Sequence, residues 1–179
     1  MSPGYRRVER RPAIMGAAYP DLYAAVGVHS GLACGVANDL PSAFAAMLQG
    51  GAPRSRFGVH SATATSDQLV PTIVFHADRD PIVHPTNGDH VMAQAAALAG
   101  SYLRTSIERG QVPGGHGYNR TVYADATGSP VLEQWVIHGG GHAWSGGSPD
   151  GSYTDPQGPD ASREMLRFFL DHPAPRAAG

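Results

Sequence analysis

The stretch PTIVFHADRD, residues 71–80, constrains the fold more than any other. Thr72 to Phe75 form an unbroken apolar run, and polar residues follow at its C-terminal end. A short strand that is apolar on both faces has to be covered on both, which is the situation inside a parallel sheet flanked by helices. YAAVGVH, from Tyr23 to His29, repeats the arrangement and ends in the turn residues Ser30-Gly31. Two parallel strands need a crossover. The intervening PSAFAAMLQ supplies helical material over Pro41 to Leu48, stopped by Gly50-Gly51. A second helix is expected from Asn87 to Leu98, with Gly100 as its stop. The glycine-rich RGQVPGGHGYN reads as a loop, after which RTVYAD and VLEQWVIH flank the turn ATGSP as a hairpin. In DASREMLRFFLDH, Asp160 is the expected N-cap, and Met165, Phe168 and Phe169 fall at helical spacing. Strands alternating with helices predict an α/β class with a mainly parallel sheet.

A chain of 179 residues, 41% hydrophobic and 16% charged, fits one soluble domain, with no internal repeat and no linker. Its formal charge of −2 has no basic stripe, so neither nucleic acid nor anionic lipid is an expected partner. No apolar run reaches the roughly 20 residues of a membrane span, and no continuous apolar segment of a signal peptide is visible near Met1. Cys34 is the single cysteine, which excludes an internal disulfide and a zinc site of paired cysteines; it reads as a small buried hydrophobe.

Chemistry in open α/β sheets gathers at the carboxyl ends of strands. Two polar clusters occupy such ends: HADRDPIV, which carries Asp80, and HGGGHAWSGG, whose three glycines let the backbone bend so that His142 returns over the sheet. An Asp followed about sixty residues later by a His, each in a loop after a strand, has the order of the last two members of an α/β-hydrolase triad. Asp78 is an alternative acid and His138 an alternative base, while Asp80 before Pro81 also suits an ordinary turn. The spacing His138-x-x-x-His142 raises a zinc reading, which the intervening glycines and the want of a third ligand disfavour. Trp144 is expected to shape a pocket wall, and His29 and Ser30, at a strand end, to line the site and contact substrate. Ser30 lies in VHSGL rather than in a G-x-S-x-G turn, so it is not taken as a nucleophile.

YPDLYAAVGVHSG, VFHADRDPIV, LEQWVIHGGGHAWSGG and SREMLRFF together resemble the C-terminal half of the esterases related to extracellular polyhydroxybutyrate depolymerases, a group that includes feruloyl-esterase-like enzymes. The resemblance spans roughly Ala13 to His172. It implies a partial α/β-hydrolase fold, lacking its N-terminal strands and nucleophile elbow, that acts on small-molecule or polymeric carboxylic esters without a cofactor. In that family pattern Asp80 orients the imidazole and His142 is the general base. Ala77 stands where the family has glycine after the strand histidine. The resemblance also implies an extracellular parent enzyme.

The nucleophilic serine has no place in the pattern. The family carries a sequence like GLSAGG just before the helix that ends in AAYPDLY, and here MSPGYRRVERRP, with four of the chain's thirteen basic residues, stands there instead. The absence of lysine and the abundance of Ala, Gly, Pro and Arg suggest GC-rich codons. Read from the third base of the Met1 codon with such codons, the same DNA spells Val-Ala-Gly-Leu-Ser-Ala-Gly-Gly-Ala, and one surplus base before Ala13 restores the present frame. Residues 1–12 are therefore expected to be an out-of-frame or disordered segment, and 13–179 the C-terminal part of a hydrolase domain without its serine, inactive as it stands. A non-catalytic α/β ligand-binding module is the alternative. The strand Tyr23 to His29 is further expected to present an unpaired edge through which the chain self-associates.

Overall fold

The computed structural model describes residues 19, 22–37, 39–51, 69–99 and 102–174. The expected out-of-frame segment, residues 1–12, lies outside them. Among the described residues ten elements follow one another: β1 (Val26–His29), α1 (Leu40–Gln49), β2 (Thr72–Ala77), α2 (Thr86–Leu98), β3 (Arg104–Gln111), β4 (Gly117–Ala124), β5 (Pro130–Ile137), β6 (Trp144–Ser145), β7 (Thr154–Asp155) and α3 (Ala161–Asp171). Five strands form one sheet in the order β1-β2-β5-β4-β3. β1 and β2 are parallel, as are β2 and β5, whereas β4 is antiparallel to both β5 and β3. Four of the five strands thus run the same way, a mixed and mostly parallel α/β sheet. β1 and β3 are the end strands of this sheet as described.

β2 is buried along its whole length, as its apolar run requires. Its side chains alternate between two clusters. Ile73, Phe75 and Ala77 join Trp135 and Ile137 of β5 under Ala161, Met165 and Phe168 of α3. Val74 joins Val26, Val28 and Leu132 under Val91 and Met92 of α2. Burying a side chain such as Phe168 contributes about 1.5–3 kcal/mol, which is how a single stripe holds α3 on the sheet. Asp160 caps α3 by accepting the Arg163 N–H at 2.9 Å, and Ala161, Met165 and Phe168 are its buried residues, while Phe169 is partly exposed. α1 starts in a capping box of Asp39 and Ser42, and Asn87 of α2 ties to its C-terminal turn by donating to the Ala46 carbonyl at 3.0 Å.

Three local differences from the sequence expectation have physical reasons. The glycine-rich 109–119 is mostly strand: Arg109 to Gln111 end β3 and Gly117 to Asn119 begin β4. β3 is exposed throughout but for Gly110, so it shows no apolar alternation, and its ladder with β4 alone makes it a strand. β1 is shorter than Tyr23 to His29, because the parallel register with β2 starts at Val26. Cys34 is half-buried, and its backbone is held by the Gln94 amide through contacts of 2.8 and 3.1 Å.

Inside β5, Glu133 is fully buried and would be costly there as a lone charge. Arg120 of β4 meets it at 2.9 and 3.1 Å and Arg167 of α3 at 2.7 and 2.9 Å, so two guanidiniums satisfy both carboxylate oxygens.

Candidate active site

β2 and β5 are neighbours in register, Ala77 opposite Ile137, so the loops that leave their C-terminal ends emerge side by side. The pairing continues past the strands: Asp78 N–H donates to the Ile137 carbonyl at 2.9 Å and Arg79 N–H to Gly140 at 3.3 Å. This register brings the 78–83 loop against the 138–145 loop.

Asp80 uses its two oxygens for two tasks. Oδ1 accepts the Ile82 and Val83 amides at 2.9 and 2.8 Å, the local turn that Asp before Pro favours. Oδ2 lies 2.8 Å from Nδ1 of His142, so the turn fixes the carboxylate that faces the imidazole. The Asp80 side chain is wholly buried, while that of His142 is 36% exposed. Burial pushes the Asp80 carboxyl up, but the Val83 amide, the His142 imidazole and the Ile82 amide outweigh it and hold the group below its ordinary value. An ionised Asp80 accepts a hydrogen bond from Nδ1–H and leaves Nε2 of His142 as the basic atom, which takes no hydrogen bond among the described residues.

The alternative pair is also assembled, separately. Asp78 Oδ2 lies 2.9 Å from His138 Nδ1, and its Oδ1 accepts the Gly139 N–H at 2.7 Å. Both side chains are exposed, 37% for Asp78 and 43% for His138. Burial pushes the Asp78 carboxyl up, and the Gly139 amide and His138 together more than offset it. His138 and His142 thus face different carboxylates rather than one shared point. Between them Gly139 has φ +87°, a conformation that a side chain would strain.

His29, Ser30 and Trp144 meet one another beside these loops. The His29 ring stacks on Trp144, centroids 4.7 Å apart, and lies parallel to Phe75 at 6.0 Å. Its Nε2 takes the Ser145 N–H at 3.1 Å, and its Nδ1 lies 3.3 Å from Ser30 Oγ. Ser30 has φ +50°. No hydrogen bond joins it to His142 among the described residues. Trp144 is 37% exposed and donates from Nε1 to Ser162 Oγ at 3.0 Å. Burial lowers His29 to about 4, with His76 and His142 adding to the effect, so the ring is neutral near pH 7.

His76 was not singled out by the sequence. It is buried, its Nε2 donates to the Val83 carbonyl at 2.8 Å, and the same nitrogen lies 3.6 Å from Asp80 Oδ2. The imidazole therefore backs the 80–83 turn from behind. Gly88 lets α2 approach it: a Cβ there would meet His76 Nδ1 at 3.0 Å. The signal was a histidine at the end of an apolar strand, four residues before Asp80.

A buried, ionised carboxylate fixing one nitrogen of a partly exposed imidazole, at the carboxyl ends of two parallel strands, can hold that imidazole in the tautomer of a general base. A comparison with curated proteins returned no match. The family model for esterase PHB depolymerase matches residues 8–112, more than half of the chain and a span that includes Asp80 but stops before His142. With that match over the β1, β2 and Asp80 segments, the chain belongs to the esterase PHB depolymerase family.

Proposed function

We propose that Asp80 and His142 are the acid and base of a serine-type carboxylic ester hydrolysis, and that the serine itself is encoded, out of frame, by the DNA of residues 1–12. The single observation that carries the reading is the 2.8 Å contact between His142 Nδ1 and a buried Asp80 carboxylate anchored by two amides. Serine would attack the ester carbonyl and lose its proton to His142 Nε2. The leaving alcohol would take that proton back, and water would repeat the cycle on the acyl intermediate. Asp80 holds Nδ1–H and stabilises the imidazolium that forms in each half. No G-x-S-x-G sequence occurs in these 179 residues, so this chain should bind ester without turning it over.

The test begins with the DNA. Reading the segment before Ala13 in all three frames should give Gly-Leu-Ser-Ala-Gly-Gly in one of them, and its absence from every frame defeats the proposal. The protein expressed from the locus with that frame restored should then hydrolyse p-nitrophenyl esters, and His142→Ala should lower kcat by roughly 10³-fold or more. The 179-residue chain should not exceed buffer hydrolysis. Turnover by it that depends on His142 would place the nucleophile elsewhere. Ester binding with no turnover even after the frame is restored would favour a non-catalytic binding module.

A further inference from the structure

The backbone just after His142 poses a hydrogen-bond accounting problem. Trp144 N–H donates to the Tyr153 carbonyl at 2.7 Å and Gly146 N–H to the Asp155 carbonyl at 2.8 Å, both across the β6–β7 pair. Strand alternation sends the amide between them, that of Ser145, the other way. Ser145 is 2% exposed, so this N–H points into protein and needs an acceptor there. The acceptor is a side chain 116 residues earlier, Nε2 of His29 at the end of β1, at 3.1 Å. The Ser145 hydroxyl does not compete, because it donates to the Pro159 carbonyl at 2.6 Å.

The geometry fixes the state of the ring. A backbone N–H can only donate, so Nε2 must hold its lone pair and the proton must sit on Nδ1, which faces Ser30 Oγ. The ring's orientation is set from its faces by Trp144 and Phe75. Both nitrogens are thereby engaged within the protein. The turn bearing His142 is clamped at its entry by Asp78, through the Gly139 N–H, and at its exit by His29, through the Ser145 N–H.

We propose that His29 is a positioning residue for His142, an imidazole acceptor that fixes the exit of the turn by capping the buried Ser145 amide. The proposal rests on the reading of His142 as general base only for its catalytic meaning. The clamp itself can be measured in the chain without any turnover.

In the 179-residue chain, ring nitrogen NMR should show His29 protonated on Nδ1 with Nε2 accepting the Ser145 amide; an Nε2–H tautomer overturns the proposal without any substitution. His29→Gln keeps an acceptor at the Nε2 position, whereas His29→Phe keeps a stacking ring and loses the acceptor. His29→Phe should lower hydrogen-exchange protection of the Ser145 amide roughly threefold to tenfold and shift the His142 ring signals, while His29→Gln preserves both. If His29→Phe retains protection, the ring serves stacking alone and the proposal fails. If protection falls while His142 is unmoved, the exit clamp does not position the base and the proposal fails equally. Asp80→Asn is read beside them: unchanged His142 signals in that variant would count against the Asp80–His142 pair, not against His29.

Discussion

The loops after β2 and β5 hold two Asp–His pairs built from the same residue types, with separations of 60 and 62 residues, and they differ in what surrounds the carboxylate. Asp78 and His138 are both well exposed, and water competes for every contact they make. Asp80 is sealed, with its second oxygen committed to two amides and His76 behind it. An exposed pair contributes little to stability and orients its imidazole loosely. A buried carboxylate that cannot turn away imposes one geometry on its partner. The comparison teaches that burial of the acid, rather than the presence of an Asp–His contact, separates an orienting pair from a surface one.

The comparison breaks most visibly on removal of the acids. Asp80→Ala strands two amides and the His142 nitrogen, one of the amides buried, and should lower unfolding stability by about 2–4 kcal/mol in urea titration. A loss no larger than that of Asp78→Ala would erase the distinction. The acid limb of the stability curve tests the same point. Both carboxyls sit below their ordinary value of 3.8, so the stability each confers is complete above that pH and is lost as pH falls through the lower folded value. Asp80→Asn should flatten that limb more than Asp78→Asn does.

A middle-sized effect is expected where both pairs share a hinge. Gly139→Ala forces a side chain to φ +87° and should cost about 1–2 kcal/mol, although its Cβ would meet nothing nearer than His116 Nδ1 at an ordinary 3.5 Å. His142 ring signals should shift together with those of His138; movement of His138 alone would show that the two pairs are held independently. The smallest effect is that of Asp78→Ala, about 0–1 kcal/mol by denaturation, since its contacts are exposed. A larger loss would mean that the entry clamp on Gly139 matters more than the salt bridge.

Protonation of His29 sharpens the picture from the other side of the turn. Its folded value of about 4 lies below the ordinary 6.5, so in that interval the unfolded chain binds a proton that the folded chain refuses. The stability that neutral His29 contributes should therefore fall as pH drops from about 6.5 to 4 and level off below, where the carboxyl limb takes over. Burial lowers His76 as well, so His29→Gln should remove only part of that slope.

Much of this was legible in the chain. The apolar run of β2 announced a strand covered on both faces, Asp160 announced the start of α3, and the two polar clusters after β2 and β5 lie in the loops that the structure brings together. β3 was not legible, because an exposed strand has no apolar face to display and only its partner β4 defines it. Nor was Glu133 legible as a buried charge: within VLEQWVI it has no sequence neighbour to neutralise it, and Arg120 and Arg167 arrive from other elements. His76 was hidden for another reason: its partners Val83 and Asp80 are near in sequence but meet it only after the loop folds back.

The sequence by itself determined the alternation of elements, the strands that must be buried, and the residue types that collect at the strand ends, because these depend on local patterning and chain order. Only the tertiary structure decided which histidine faces which aspartate and which of the two acids is sealed from water. Those choices follow from the parallel register of β2 with β5 and from the turn at Gly139. The turn that seats Asp80 among its own amides and His76 is local, but the imidazole it faces comes from 62 residues away, a meeting that no local stretch encodes.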